Sequence, residues 1–170
     1  MCEHENKDKY QLAVCQSKEL LVKDSKADKI QIADKSIVKQ LIKEAIHSLE
    51  FAYTPYSNHK VGAALLTKDL KIYSGCNIEN ASYTPTNCAE RTAYFKAVSE
   101  GHKEFLAIAI VGGMDGILKD YCSPCGVCRQ VMMEFGDPET FLIILAKSED
   151  DYKLYTLEEI LPLGFGPKNL

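Results

Sequence analysis

Apolar positions along the chain fall into two patterns, one helical and one strand-like. From Ser36 onward, Val38, Leu41, Ile42, Ala45, Ile46 and Leu49 recur at spacings of three and four, which builds one apolar face of a helix. Ser36 is placed to cap that helix, since its hydroxyl can accept from an unpaired first-turn amide. The helix must fail before Pro55, and Tyr53-Thr54-Pro55-Tyr56-Ser57 reads as a turn. Val61 to Leu66 is a nearly continuous apolar run, as expected of a strand covered on both faces. A turn near Asp69 leads to a second strand, Lys71 to Ile78, and Leu106–Val111 and Phe141–Ala146 repeat the buried character. Two helices lie between the strands, one starting near Asn87 and one near Pro124. A proline suits a first helical position because that amide has no helical partner. Thr156-Leu157-Glu158-Glu159 fits the capping box of a short final helix.

This alternation predicts an α/β fold: a single domain with a mixed sheet of about five strands sandwiched by helices. Residues 1–34 differ, being rich in Lys, Asp, Glu, Ser and Gln with only scattered apolar positions. They read as a charged, partly ordered N-terminal extension without a core of its own, with Ile30 and Ile32 as candidates for docking. The domain is expected over 35–170.

At 170 residues, 46% hydrophobic and 26% charged, the composition is that of one ordinary globular domain. A net charge of -4 carries no electrostatic footprint for nucleic acid. No apolar run approaches the roughly 20 residues of a membrane span. The polar, acidic stretch Met1–Glu5 does not read as a secretory signal. The expected setting is cytoplasmic, where thiols stay reduced, so the seven cysteines call for a role other than disulfides.

Three of them fall in two short segments, Cys88-Ala89-Glu90-Arg91 and Pro124-Cys125-Gly126-Val127-Cys128. Three protein ligands plus a water is the arrangement of a catalytic zinc site, one ligand short of a closed structural one. Zinc with three thiolates has a net charge of about -1, which weakens its hold on a water proton. Two facing helix N-termini, each with roughly half a positive charge, offset it. Arg91 can donate to a thiolate and withdraw further electron density. Glu90, two residues after Cys88, is the candidate proton shuttle, although a solvated first-turn glutamate is the plainer reading of that position alone. Cys2, Cys15, Cys76 and Cys122 read as free thiols or small apolar fillers. Cys122 and His102 are the rivals for a fourth ligand, and the C-x-x-C spacing of Cys125 and Cys128 argues against Cys122.

A Cys-x-Glu followed by Pro-Cys-x-x-Cys is the signature of the zinc-dependent nucleobase deaminases. The stretch from Tyr53 to about Phe165 further resembles the small, oligomeric nucleoside type of cytidine deaminase. The matching segments are Pro55-Tyr56-Ser57, Val61–Leu66, Gly75–Ala81, Cys88–Ala93, Ser123–Gln130, and Leu161-Pro162 followed by Phe165-Gly166-Pro167. The resemblance implies hydrolysis of cytidine and 2′-deoxycytidine to uridine and 2′-deoxyuridine with release of ammonia. It implies one zinc ion per subunit on Cys88, Cys125 and Cys128, and a homotetramer with shared active sites. Asn77 and Glu79 would then hold the sugar hydroxyls, and backbone groups of Ala89 and Ser123 the pyrimidine edge. Phe165 would stack on the base in a neighbouring subunit's site. The family usually has Phe where this chain has His59. An imidazole can still stack on a pyrimidine but adds a polar edge and a titrating group. The competing readings are a deaminase of blasticidin-like nucleoside analogues and a non-catalytic zinc-stabilised binding module. A polynucleotide substrate is disfavoured by the acidic balance and the sugar clamp, and no membrane partner is expected.

Overall fold

The computed structural model describes residues 35–170 in full and, before them, the backbones of two short strands. These are β1 (Leu21–Lys23) and β2 (Ile30–Ile32), which pair antiparallel. Docking of the Ile30 and Ile32 side chains falls outside what is described.

The first helix, α1 (Lys35–Ser48), begins two residues earlier than the capping argument placed it, so Ser36 lies within the first turn rather than at the N-cap. Strands β3 (His59–Thr67), β4 (Ile72–Cys76), β5 (Phe105–Met114), β6 (Leu142–Ala146) and β7 (Tyr152–Thr156) form one sheet in the order β4-β3-β5-β6-β7. Only β5 and β6 run parallel, joined across α3 (Gly126–Phe135), while every other neighbouring pair is antiparallel. The fifth strand, β7, is amphipathic and forms the sheet edge, which is why no continuous apolar run announced it. The helix α2 (Ala89–Ser99) starts after an N-cap at Cys88, close to the expected start near Asn87. The helix α3 starts after an N-cap at Cys125, which leaves Pro124 outside its first turn. The last helix, α4 (Leu157–Ile160), carries the expected reciprocal cap between Thr156 and Glu159.

Alternation along the strands divides the core. Ala64, Leu66, Ala107, Ala109, Leu142 and Ile144 face α1, whose Val38, Leu41, Ile42 and Ala45 are fully buried. Burial of each such large aliphatic side chain contributes about 1.5–3 kcal/mol. Ala63, Leu65, Ile108, Ile110 and Ile143 face the opposite way, towards α2, α3 and Leu157 of α4. Two glycines set how closely the helices approach. A Cβ at Gly62 would stand 2.6 Å from Ser48 Oγ, closer still to the Ala45 carbonyl, so α1 lies directly on the strand backbone. On the other face a Cβ at Gly75 would come 2.5 Å from the amide nitrogen of Ala93. The start of α2 therefore rests on β4, and its N-terminus is fixed over the sheet.

Candidate active site

Cys88 and Cys125 are the N-caps of α2 and α3, both with extended backbone, and Cys128 lies in the first turn of α3. Their sulfurs converge: Cys88 Sγ is 3.8 Å from Cys125 Sγ, Cys125 Sγ is 3.6 Å from Cys128 Sγ, and all three lie within 4.8 Å of one another. A tetrahedral ion at about 2.3 Å from each sulfur would separate the sulfurs by about 3.8 Å, so the set fits zinc. Among the described residues no fourth His, Cys, Asp or Glu joins the cluster. Of the two rival ligands, His102 is engaged elsewhere, with Nδ1 3.3 Å from Asp69 Oδ1 and Nε2 3.4 Å from Lys71 Nζ. Cys122 packs beside the site without entering the cluster, its thiol pushed up to about 11 by burial.

The surroundings favour a thiolate at Cys88. The Cys88 thiol is drawn down to about 5, first by a hydrogen bond from Cys128 and then by the Arg91 guanidinium. Cys128 shifts upward in turn, as the member of the pair that keeps its proton beside the Cys88 thiolate. Arg91 Nη2 donates to the Thr86 carbonyl at 3.1 Å and points at Cys88 Sγ from 3.8 Å. Its Nε is buried with no partner among the described residues, a cation held against the sulfurs rather than in solvent. Thr92 Oγ1 donates to the Cys88 carbonyl at 3.2 Å and accepts from Asn87 Nδ2 at 3.0 Å, which ties the cap to its own helix.

Glu90 is 3% exposed, and burial pushes its carboxyl up to about 7. Ala89, beside it, is fully buried. A carboxyl that gives and takes a proton near neutrality suits general acid–base work.

The remaining expected site residues fall in separate groups, and the cavities that Glu79 and His59 line include none of the three sulfurs. Asn77 is bound to β3: its Nδ2 donates to the His59 carbonyl at 2.8 Å and its Oδ1 accepts from Val61 N at 2.9 Å. Glu79 Oε2 accepts the amides of Tyr56 and Ser57 at 2.9 and 3.2 Å. Its pKa is lowered by a Ser57 side-chain bond and by those amides. Glu79 lines a cavity with Tyr56, Ser57, Tyr83 and Thr86, whereas His59 lines another, of about 390 Å³, with Gly112, Met114 and Cys122. Phe165 lines neither cavity; Gln130 Nε2 donates to its carbonyl at 2.9 Å while its side chain is 59% exposed.

Ser123 is exposed at the entrance to α3, and here the structure adds a residue that the sequence reading passed over. Arg129 donates to the Pro124 carbonyl at 2.9 Å, to Ser123 Oγ at 3.1 Å and to the Ile160 carbonyl at 2.8 Å. It stitches the segment before Cys125 to the end of α4. Its only signal in the sequence is its place one residue after Cys128.

Residues 35–144 match the family described as the cytidine and deoxycytidylate deaminase zinc-binding region. The chain is 47% identical over 133 residues to a cytidine deaminase of Sporosarcina psychrophila, covering 78% of this chain and 94% of that one. A crystal structure of a cytidine deaminase from Burkholderia pseudomallei superposes with a TM-score of 0.67 at 47% identity, over 74% of this chain and 97% of the other. A blasticidin-S deaminase of Bacillus cereus is more distant, 34% identical over 133 residues, 74% of this chain and 90% of that one.

Proposed function

Because the chain belongs to the cytidine and deoxycytidylate deaminase zinc-binding family, we propose that it hydrolyses cytidine and 2′-deoxycytidine to the corresponding uridines and ammonia, with Glu90 as the proton carrier. The observation that carries the reading is the buried Glu90 carboxyl in the first turn of α2, two residues after Cys88, one of three sulfurs spaced for a tetrahedral ion. Zinc held by Cys88, Cys125 and Cys128 supplies the Lewis acid that makes water a nucleophile at neutral pH.

The other steps belong to the chain's own groups. Glu90 takes the proton released as water adds to the amine-bearing carbon and delivers it to the ring nitrogen. The same carboxyl then takes the proton of the newly added hydroxyl as the carbonyl forms and gives it to the amine, whose bond to carbon breaks to release ammonia. Arg91 holds the Cys88 sulfur in its anionic form. The backbone of Ala89 and Ser123 holds the pyrimidine edge, and His59 lines the base pocket.

Asn77 and Glu79 hold the sugar. Each spends part of its capacity on the Tyr56–Val61 segment, which leaves one Asn77 amide hydrogen and Glu79 Oε1 for vicinal or terminal hydroxyls. Phe165 completes a neighbouring subunit's site within a homotetramer, a reading supported by its exposed ring and by exposed Tyr53, Ile78, Tyr83 and Phe95. The proposed setting is cytoplasmic, consistent with the free thiols of the described cysteines.

The test is a spectrophotometric assay of cytidine conversion on the zinc-loaded protein and on Glu90→Ala. Turnover in the first, and loss of about 10³-fold or more in the second with zinc retained, is expected of a proton carrier. Absent cytidine turnover with turnover of blasticidin-like nucleosides would replace the substrate. Tight zinc with no turnover of either would leave a binding module.

A further inference from the structure

The segment from Asp115 to Cys122, between β5 and α3, forms a wall of the cavity that His59 lines. It is folded back tightly on the end of β5. A Cβ at Gly112 would come 2.8 Å from Cys122 Sγ, so the thiol fills the space that a side chain on the strand would need. Asp115, at φ 52°, donates its amide to the carbonyl of Asn58, itself at φ 54°, at 2.8 Å. Asn and Asp tolerate this left-handed backbone better than other non-glycine residues. These bonds fix the start of the loop, and Arg129 fixes Ser123 and Pro124 at its end.

Between the two anchors stands Tyr121. Its ring lies under two ammonium groups from the β6–β7 hairpin, with Lys147 Nζ 4.8 Å and Lys153 Nζ 4.6 Å from its centroid. Its hydroxyl donates to Asp151 Oδ1, and Asp151 is paired with Lys147 at 2.7 Å. That hairpin is held in turn from the opposite face of the sheet, by Lys39 of α1 on Asp150 at 2.6 Å and Lys43 on Glu149 at 3.5 Å. While Tyr121 lies on the hairpin, the next residue, Cys122, packs in the core cluster that includes Cys88 and lines the cavity beside His59.

We propose that Tyr121 is a positioning residue: lying under Lys147 and Lys153 and bonded to Asp151, it pins the 115–122 loop to the β6–β7 hairpin and so holds Cys122 as a fixed wall of the nucleoside site. The assignment of that wall to substrate rests on the deaminase reading; the pinning itself does not. Tyr121 lines the same cavity beside Cys122, and its positioning role acts through the loop that follows it.

Two readouts on zinc-loaded protein test this. The first is the rate at which iodoacetamide alkylates Cys122, followed by peptide mass spectrometry, because a packed thiol reacts only when its segment opens. In Tyr121→Leu this rate rises about tenfold or more, consistent with loss of two cation–π contacts and one hydrogen bond. The second is cytidine turnover, where Tyr121→Leu raises KM about tenfold with kcat within about twofold and zinc content unchanged, the mark of lost ground-state binding. Tyr121→Phe keeps the ring beneath the lysines and returns both readouts most of the way to the parent values. Cys122 alkylation in Tyr121→Leu at the parent rate overturns the pinning, as does a fall in kcat together with loss of zinc. If the parent protein fails to turn over cytidine, the deaminase reading falls, and the alkylation rates still decide the pinning.

Discussion

Glu79 is fastened to Tyr56: its Oε2 accepts that residue's amide at 2.9 Å, and the amide of Ser57 at 3.2 Å. A carboxylate proposed to hold sugar hydroxyls is thus first a brace for the turn leading into β3. Glu79→Gln keeps an acceptor oxygen but removes the charge. KM for cytidine is expected to rise about tenfold or more, the usual consequence of weakening a bond to a charged group, with a smaller change in kcat. The pH dependence has a definite sign. The folded pKa lies below the ordinary 4.5, so the stability that this carboxylate contributes is present above that value. It is lost as pH falls through the folded pKa. Thermal melts should therefore separate parent and Glu79→Gln at pH 7 and converge as pH falls through the folded pKa, below 4.5. A separation that persists in acid would mean that charge has no part in the brace.

Gly75 and Gly62 sit on neighbouring strands and admit helices on opposite faces, which makes a controlled pair. Gly75→Ala drives a methyl into the α2 backbone at Ala93, 2.5 Å away, and α2 carries Cys88, Glu90 and Arg91 at its start. The variant should lose about 3 kcal/mol in denaturant unfolding and bind zinc more weakly in chelator competition. Gly62→Ala pushes on α1 instead, where a Cβ would stand 2.6 Å from Ser48 Oγ. A comparable loss of stability with unchanged zinc affinity is expected there. Equal zinc affinity in both would show that the seat of α2 on β4 does not set the metal site.

Much of this arrangement was legible in the sequence because it is local. Cys88, Glu90 and Arg91 share one helical turn, and Cys125 and Cys128 share another, so spacing alone brings each group together. Continuous apolar runs marked β3, β5 and β6, since strands buried on both faces need no polar positions. What stayed hidden depends on contacts between distant segments. Arg129 reads as an ordinary helix residue until Ser123, Pro124 and Ile160 are placed around it. Asn77 and Glu79 read as strand-end polar residues because their partners lie 16 to 23 positions away. Tyr121 reads as a loop aromatic, and its two lysines come from either side of a hairpin that the apolar pattern left half unmarked.

Tyr94 sits one turn beyond Glu90 on α2, fully buried against Phe105, Phe135 and Phe141 at centroid distances of 5.0, 5.8 and 6.4 Å. Its hydroxyl has no hydrogen-bond partner among the described residues. Burying a hydroxyl without a partner opposes folding by about 1–3 kcal/mol. Tyr94→Phe removes that oxygen and keeps the ring contacts, so it should raise the unfolding midpoint or leave it unchanged, with kcat and zinc content unaltered. A loss of more than about 1 kcal/mol would point to an ordered water satisfying the hydroxyl.

His59 stands opposite Met114 in the β3–β5 register, on the face of the sheet that carries the zinc ligands. Asn77 holds its carbonyl, so the backbone that presents the ring is fixed by a residue proposed to bind sugar. If the imidazole serves as a stacking surface for the pyrimidine, a phenyl ring on the same backbone serves equally. His59→Phe should keep kcat for cytidine within about threefold and change KM modestly, since aromatic pairs differ by only about 0.5–1.5 kcal/mol beyond area. His59→Ala removes the surface and should raise KM about tenfold or more, as loss of a stacked base contact does. Steady-state kinetics on the two variants separate the roles. Near-total loss of turnover in His59→Phe would show that the ring nitrogens, rather than the ring face, act on the substrate.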